Sequence, residues 1–343
     1  MINRSCLSYG GFFLYNQIEA VLSQYEMEIY EVTKGRGSYI CNTSKGMRQL
    51  IGFRGAAEKG TFLQSYLEAL KNDGFSVEQI ERNKEGNAVT VDEGTGEHFI
   101  LKEYIAGTEL NVGQLKEVKE AVALLAEYHT IAVKTRAAGV ENYVHNHASM
   151  IDEKRRHIKE FIKVKNYIRS RKKKNEFERI YMNHYRSMLE TAERSVHILE
   201  NVTETKEEYS IYHGAFHQHN VVYYEKKWHI INFESFVYAW SILDLVNFLR
   251  KMQEKNDWEL QTGLEILNSY TKVRPLKKQE LEKLYALLLF PEKFWKVTNH
   301  YINSRKTWIS ERDIEKLEKV IAQEEKRLKF MENLFSMFSS KGE

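Results

Sequence analysis

Proline is nearly missing from this chain. Pro275 and Pro291 are the only two in 343 residues, so long helices can run without the break that a proline ring imposes. Cysteine is as scarce: Cys6 and Cys41 are too few for a disulfide framework. The amino-terminal MINRSCLSYGGFF has one early basic residue, no sustained apolar core and no small-residue cleavage site, so no secretory signal and a reducing compartment are expected. Long apolar runs are also missing. Even Leu284 to Phe290 falls well short of the ~20 residues of a membrane helix, so no membrane partner is expected. There is no internal repeat, low-complexity tract or Gly/Ser linker. No G-x-S-x-G and no G-x-x-x-x-G-K-[ST] occurs, which removes serine hydrolases of that type and P-loop nucleotide hydrolases. A net charge of +3 is mild and by itself implies no nucleic-acid partner.

What is present is an ordinary globular composition, 42% hydrophobic and 29% charged, on a chain long enough for two lobes. Its first third is β-rich. Ile29 to Thr33, Ser38 to Asn42 and Met47 to Phe53 read as short strands separated by Lys34-Gly35-Arg36-Gly37 and Thr43-Ser44-Lys45-Gly46. Phe62, Leu63, Tyr66, Leu67 and Leu70 then recur at helical spacing until Asp73-Gly74 stops them. Two more strands follow, near Ala88 to Asp92 and His98 to Tyr104. From Val112 onward the pattern is almost all helical. Ile151 to Asn175 forms a strongly basic helical region with apolar residues threaded through it, and three or four more amphipathic helices follow Trp258. Trp295, His300, Tyr301 and Trp308 read as aromatic bundle core.

The organising stretch is Ile211 to Phe248. A short apolar pair leads into His213-Gly214, a polar loop reaches Asn220, and strands at Val221 to Tyr224 and Trp228 to Phe233 flank a turn at Lys226-Lys227. A helix carrying Ile242, Asp244, Leu245, Val246 and Leu249 follows. Loop, hairpin and helix with His, Asn and acids at these offsets suit phosphoryl transfer, which needs a base near the acceptor hydroxyl and oxygen ligands for magnesium.

This segment resembles the catalytic and metal loops of the aminoglycoside phosphotransferase and choline kinase-like superfamily, and the wider chain is most similar to its CotS-like spore-coat branch. Those proteins carry H-G-D-x-x-x-x-N and then I-D-F-E. Here the matching residues are His213-Gly214-Ala215-Phe216-His217-Gln218-His219-Asn220 and Ile231-Asn232-Phe233-Glu234. The frame is kept, with Ala215 and Asn232 where the two aspartates belong. Alanine cannot accept a proton, and an amide is a far poorer magnesium ligand than a carboxylate. His213, His217, Asn220, Glu234 and Asp244 are retained, and Asp244-Leu245 matches the pair whose aspartate braces the catalytic loop. Leu125-Ala126-Glu127-Tyr128-His129 matches L-A-x-x-H, with His129 expected to pack in the core.

The resemblance implies an α+β, two-lobed protein kinase-like fold, with an N-lobe over 1–105 and a helical C-lobe over 106–343. Relatives carry a lysine near the end of the third strand, a position taken here by Gly52. Arg54, two residues on, shares its strand face and is a candidate substitute. Gly35 and Gly37 lie where a nucleotide-covering loop would be, although so short a signal is read first as a tight hairpin turn. Glu103 and Ile105 fall in the stretch that resembles the hinge. Metal ligands, if a metal binds, would be Asn220, Asn232 and Glu234. Zinc on His213, His217 and His219 is not expected, because the first two match structural histidines of the relatives.

The expectation is therefore a spore coat-associated pseudokinase, with no cofactor, acting as a binding or assembly component beside other coat proteins. It would pass from the mother-cell cytoplasm to the coat. The alternative is an active phosphotransferase on a small aminoglycoside, choline or sugar-type acceptor, using ATP, magnesium and non-standard residues such as His217, His219 and Glu234. The face from Lys154 to Lys174 is either a solvated basic surface or a dock for an acidic partner, and a nucleic-acid partner is not expected.

Overall fold

The computed structural model describes residues 17–135, 139–143, 147–203, 209–304 and 310–339, so the expectations on Cys6, the amino-terminal segment and Trp308 lie outside the described residues. Contacts divide the chain into two compact units, Met1–Tyr143 with His213–Val237, and Val144–Tyr212 with Tyr238–Glu343. The expected 105/106 lobe boundary falls inside the first unit, and both expected site loops return to it.

In the first unit, α1 (17–22) precedes β1 (Ile29–Lys34), β2 (Ser38–Thr43) and β3 (Gly46–Gly52), followed by α2 (Ala57–Asn72), β4 (Thr90–Val91) and β5 (His98–Glu103). The strands form one antiparallel sheet in the order β1-β2-β3-β5-β4. Ile18, Val21, Leu22 and Tyr25 pack on Cys41, Leu50, Phe99 and Leu101 to make its core, each such side chain contributing roughly 1.5–3 kcal/mol by leaving water. As expected, α2 stops at Asp73-Gly74. Gly74 takes φ 91°, and the Phe75 N–H reaches back to the Leu70 carbonyl at 2.9 Å, satisfying an end-of-helix acceptor.

A second, three-stranded sheet joins β6 (Thr108–Glu109), β8 (Val221–Tyr224) and β9 (Lys227–Ile230) in the order β6-β8-β9. Gly107 is required here, since a Cβ on it would stand 2.8 Å from the Tyr223 carbonyl oxygen. The β8–β9 turn lies one residue earlier than the sequence suggested. Glu225 and Lys226 take φ 47° and 64°, and Lys227 already pairs with Tyr224. Packed against β9 is α3 (Leu115–Ala132), which buries Val118, Val122, Leu125, Tyr128 and His129, so His129 is a core residue.

The second unit holds α4 (His147–Ser170), α5 (Glu176–Asn201), β7 (Tyr209–Tyr212), β10 (Val237–Trp240), which pairs with β7, and α6 (Ile242–Lys255). The expected helix over Ile151 to Asn175 ends at Ser170. Asn175 instead caps α5: its Oδ1 accepts the Glu178 N–H at 2.9 Å, and Glu178 Oε2 accepts the Asn175 N–H at 2.9 Å. Among the described residues five helices rather than three or four follow Trp258: α7 (Leu260–Val273), α8 (Lys278–Leu289), α9 (Glu292–Asn303), α10 (Glu311–Ala322) and α11 (Glu324–Ser339). Pro291, at the N-cap of α9, separates two helices that the apolar periodicity runs together.

The core of this unit is built by Phe161, Val164 and Ile168 of α4, Phe177, Tyr181 and Met188 of α5, and Phe290, Phe294 and Leu317. Trp295 and Tyr301 pack against it, and the Trp295 indole stacks on His157 with ring centroids 3.5 Å apart. Among the described residues no helix is long and apolar enough to cross a membrane.

Candidate functional site

The two loops singled out in the sequence meet within the first unit. Gly214 has φ 78°, and a Cβ on it would lie 2.1 Å from the Ser235 carbonyl oxygen. Only glycine lets the 213–220 loop pass so close to the 231–235 loop. His213 is fully buried. Its Nδ1 accepts the Ala215 N–H at 3.1 Å and its Nε2 lies 2.9 Å from the Ile231 carbonyl, a pair of partners that assigns the proton to Nε2. One imidazole thus braces both loops.

Asn220 and Asn232 complete the junction. The Asn220 amide donates to the Ala215 carbonyl at 2.9 Å, and its Oδ1 accepts from Asn232 Nδ2 at 2.8 Å. Asn232 sits in the left-handed region, φ 66° and ψ 61°, which asparagine tolerates better than most residues. Where active relatives of the motif would have two carboxylates, this junction has a methyl group and an amide hydrogen-bonded to another amide.

The residue that sequence reasoning missed is Lys102. It is 1% exposed, on β5 opposite Gln49, and its ammonium points into the second loop. Nζ donates to Asn232 Oδ1 at 2.7 Å, to Glu78 Oε1 at 3.0 Å and to Glu234 Oε1. The segment that carries Glu78 is pinned at two isolated bridges: Val77 bridges Ile230, Ile80 bridges Lys102, and Glu78 Oε1 also accepts the Asn232 N–H at 2.7 Å. Burial opposes the charge on Lys102, but Glu234 and Glu78 outweigh it and hold the ammonium above its usual pKa. Burial also pushes the Glu78 carboxyl up, against the pull of Lys102. The available signal was a lone lysine after Phe99-Ile100-Leu101 in a strand otherwise buried on both faces; a lysine in such a place needs a partner.

A divalent ion does not fit the loop as it stands. The oxygens of Asn232 and Glu234 that would bind it are held by an ammonium whose three donors are all used, and Asn220 Oδ1 is taken by the Asn232 amide. Among the described residues no group of three or more His, Cys, Asp or Glu is arranged to hold a metal.

The remaining expected residues have other surroundings. Gly52 ends β3 with open space where its side chain would be, and Arg54 is exposed. Gly35 donates its N–H to the Ser38 carbonyl at 2.9 Å and Gly37 takes φ 67°, which is the geometry of the tight β1–β2 turn. Arg36, between them, lies 3.2 Å from Glu109 Oε1 and 2.8 Å from His219 Nδ1, and His219 Nδ1 lies 2.5 Å from Glu109 Oε2. This exposed cluster ties the glycine turn to the 213–220 loop and contributes on the order of 1 kcal/mol or less. His217 Nδ1 accepts the His219 N–H at 3.3 Å. The Glu103 carboxylate accepts the Gln79 N–H at 3.1 Å, and the Ile105 carbonyl accepts from Gly107 at 2.9 Å. Asp244 is buried in the first turn of α6, in the second unit.

This frame has relatives. A family model described as "Spore coat putative kinase YutH" matches residues 18–334. The chain belongs to the spore coat YutH family. Across 337 residues it is 21% identical to "Spore coat protein S" of Bacillus subtilis, covering 94% of each chain. An aminoglycoside phosphotransferase from Alicyclobacillus acidocaldarius superposes with a TM-score of 0.81 at 18% identity, covering 94% of this chain and 96% of that one. The choline kinase LicA from Streptococcus pneumoniae gives 0.52 at 14% identity, over 92% and 99%. The YutH family member described here therefore has the α+β, kinase-like fold that its sequence implied, with a small antiparallel sheet and a larger helical region.

Proposed function

We propose that this YutH family protein is a pseudokinase of the spore coat: a kinase-like scaffold that binds or organises other coat proteins and no longer transfers phosphate. One observation carries the reading. The loop that should present the catalytic base presents Ala215, held in place by His213 and Asn220 as if the loop mattered for its shape alone. Positioning and electrostatics supply nearly all the catalysis at such a site, and a methyl group supplies neither. The coat role rests on family membership and on the name of the Bacillus subtilis relative, with synthesis in the mother-cell cytoplasm before assembly.

The basic helix bears on partners. Lys154 is paired with Glu292, Arg155 with Glu200 and Asp152, and Arg171 with Glu178. An acidic partner would therefore have the exposed Arg156, Lys159, Lys163, Arg169, Lys172 and Lys173 to meet.

A second reading, an active small-molecule phosphotransferase with His217 or His219 as base, is favoured by one feature: the buried Lys102–Glu78 pair beside the second loop resembles the lysine–glutamate pair that kinases use to hold nucleotide phosphates. Thermal unfolding with ATP, ADP and GTP, each with and without magnesium, separates the two when run beside a coupled assay for ADP release with amino-alcohol and aminoglycoside acceptors. The pseudokinase gives no magnesium-dependent stabilisation and no acceptor-dependent ADP. Turnover that disappears in His217→Ala would establish the second reading.

A further inference from the structure

We infer that Lys102 is a tethered substitute for a divalent cation, closing an oxygen-lined site that opens to a metal ion once the lysine charge is removed. Three oxygen atoms, Glu78 Oε1, Asn232 Oδ1 and Glu234 Oε1, converge on the Lys102 Nζ, the first two at 3.0 and 2.7 Å. Two carboxylates and one carbonyl-type oxygen around a single point are the donor set of a hard cation. An ammonium fills that point because it has three donors for three acceptors and arrives on a strand whose register is fixed on both sides, by Gln49 across β3 and by Ile80 across the bridge.

The charge balance carries the inference further. Glu78 is 2% exposed, so it depends on the single positive charge it shares with Glu234. Taking that charge away leaves two carboxylates facing one cavity at the position of Nζ, where a divalent ion is the species that restores neutrality. The contraction from ammonium distances to cation distances is small for calcium, at about 2.3–2.6 Å, and larger for magnesium, at about 2.0–2.1 Å. Calcium is therefore the ion the vacated point suits first, and manganese is tested beside it. Another cation that feels the charge of Glu234 is Lys59, whose ammonium lies over the Phe236 ring at 4.9 Å.

This inference deepens the pseudokinase reading, since it identifies what stands in the metal position, and its test is independent of turnover. The experiment measures the unfolding temperature of the full chain and of Lys102→Met in calcium, manganese or magnesium chloride and in EDTA. The expected result is a parent protein indifferent to all three ions and a variant that loses stability in EDTA and regains about 3 °C or more in calcium or manganese at ten times the dissociation constant. Adding Glu234→Gln to the variant should abolish the gain. Lys102→Gln, which keeps the side chain's length and one donor, replaces the methionine variant if that one does not fold in EDTA.

Either variant unfolding at the same temperature with and without the ions overturns the inference, as does failure of both to fold in the presence of calcium or manganese. A parent protein that is itself stabilised by these ions, with the effect lost in Glu234→Gln, overturns it too. ADP release by the parent would overturn the pseudokinase reading and leave the cation result to stand or fall on its own.

Discussion

Glu292 offers the sharpest quantitative test of how the second unit is held together. It lies in the first turn of α9, 7% exposed, with Lys154 Nζ at 2.9 Å and Lys296 Nζ at 3.4 Å. Burial alone would raise its carboxyl, but Lys154, Arg250 and Lys296 overcome that and depress it from 4.5 to about 2. A carboxylate depressed in the folded state adds stability that is present above its unfolded value and is lost as pH falls through 4.5 toward 2. At 1.36 kcal/mol per pH unit the contribution at pH 7 is roughly 3 kcal/mol, of which about 2 kcal/mol is gone by pH 3. Glu292→Gln should therefore be less stable than the parent by roughly that amount in urea at pH 7, and the gap should shrink by about 2 kcal/mol at pH 3. A gap that is the same at both pH values would refute the electrostatic account and leave packing as the cause.

Other substitutions test the first unit and the basic helix. Gly214→Ala should destabilise by at least about 2 kcal/mol in a denaturant titration, because it combines a left-handed backbone with a Cβ placed 2.1 Å from the Ser235 carbonyl oxygen. Gly52→Lys, by contrast, meets open space and should change the unfolding free energy by no more than about 0.5 kcal/mol; a large loss there would contradict the placement of β3's end. Reversing Lys159, Lys163 and Lys172 to glutamate should leave co-sedimentation with extracted coat proteins unchanged, as a solvated face requires. Loss of binding together with a steep salt dependence in the parent would instead identify an acidic partner.

The fold was largely legible in the order of strands, the helix stop at Asp73-Gly74 and the loop frame from His213 to Glu234. These signals are local: a turn residue, a period, a spacing. The capping residue that splits the basic helical region was readable as well, since Asn175 stands three residues before Glu178, but the apolar period runs through it and masks it. Lys102 was not legible in the same way. Its significance comes from Glu78 and Glu234, far from it in the chain and brought to it by the bridge at Ile80 and the return of the second loop, and no periodicity encodes such a meeting. A search confined to the third strand, for the lysine missing at Gly52, could not have reached a cation supplied by β5.

The close pass at Gly214 has a wider consequence. Because that glycine and the doubly bonded His213 are demanded by the folding of two loops against each other, a chain can lose its base and its metal-binding carboxylate and still be unable to change the letters around them. The surviving H-G and the trailing asparagine then measure a constraint on shape. A motif scan that scores those letters will go on reporting an enzyme in chains where only the frame of one is left.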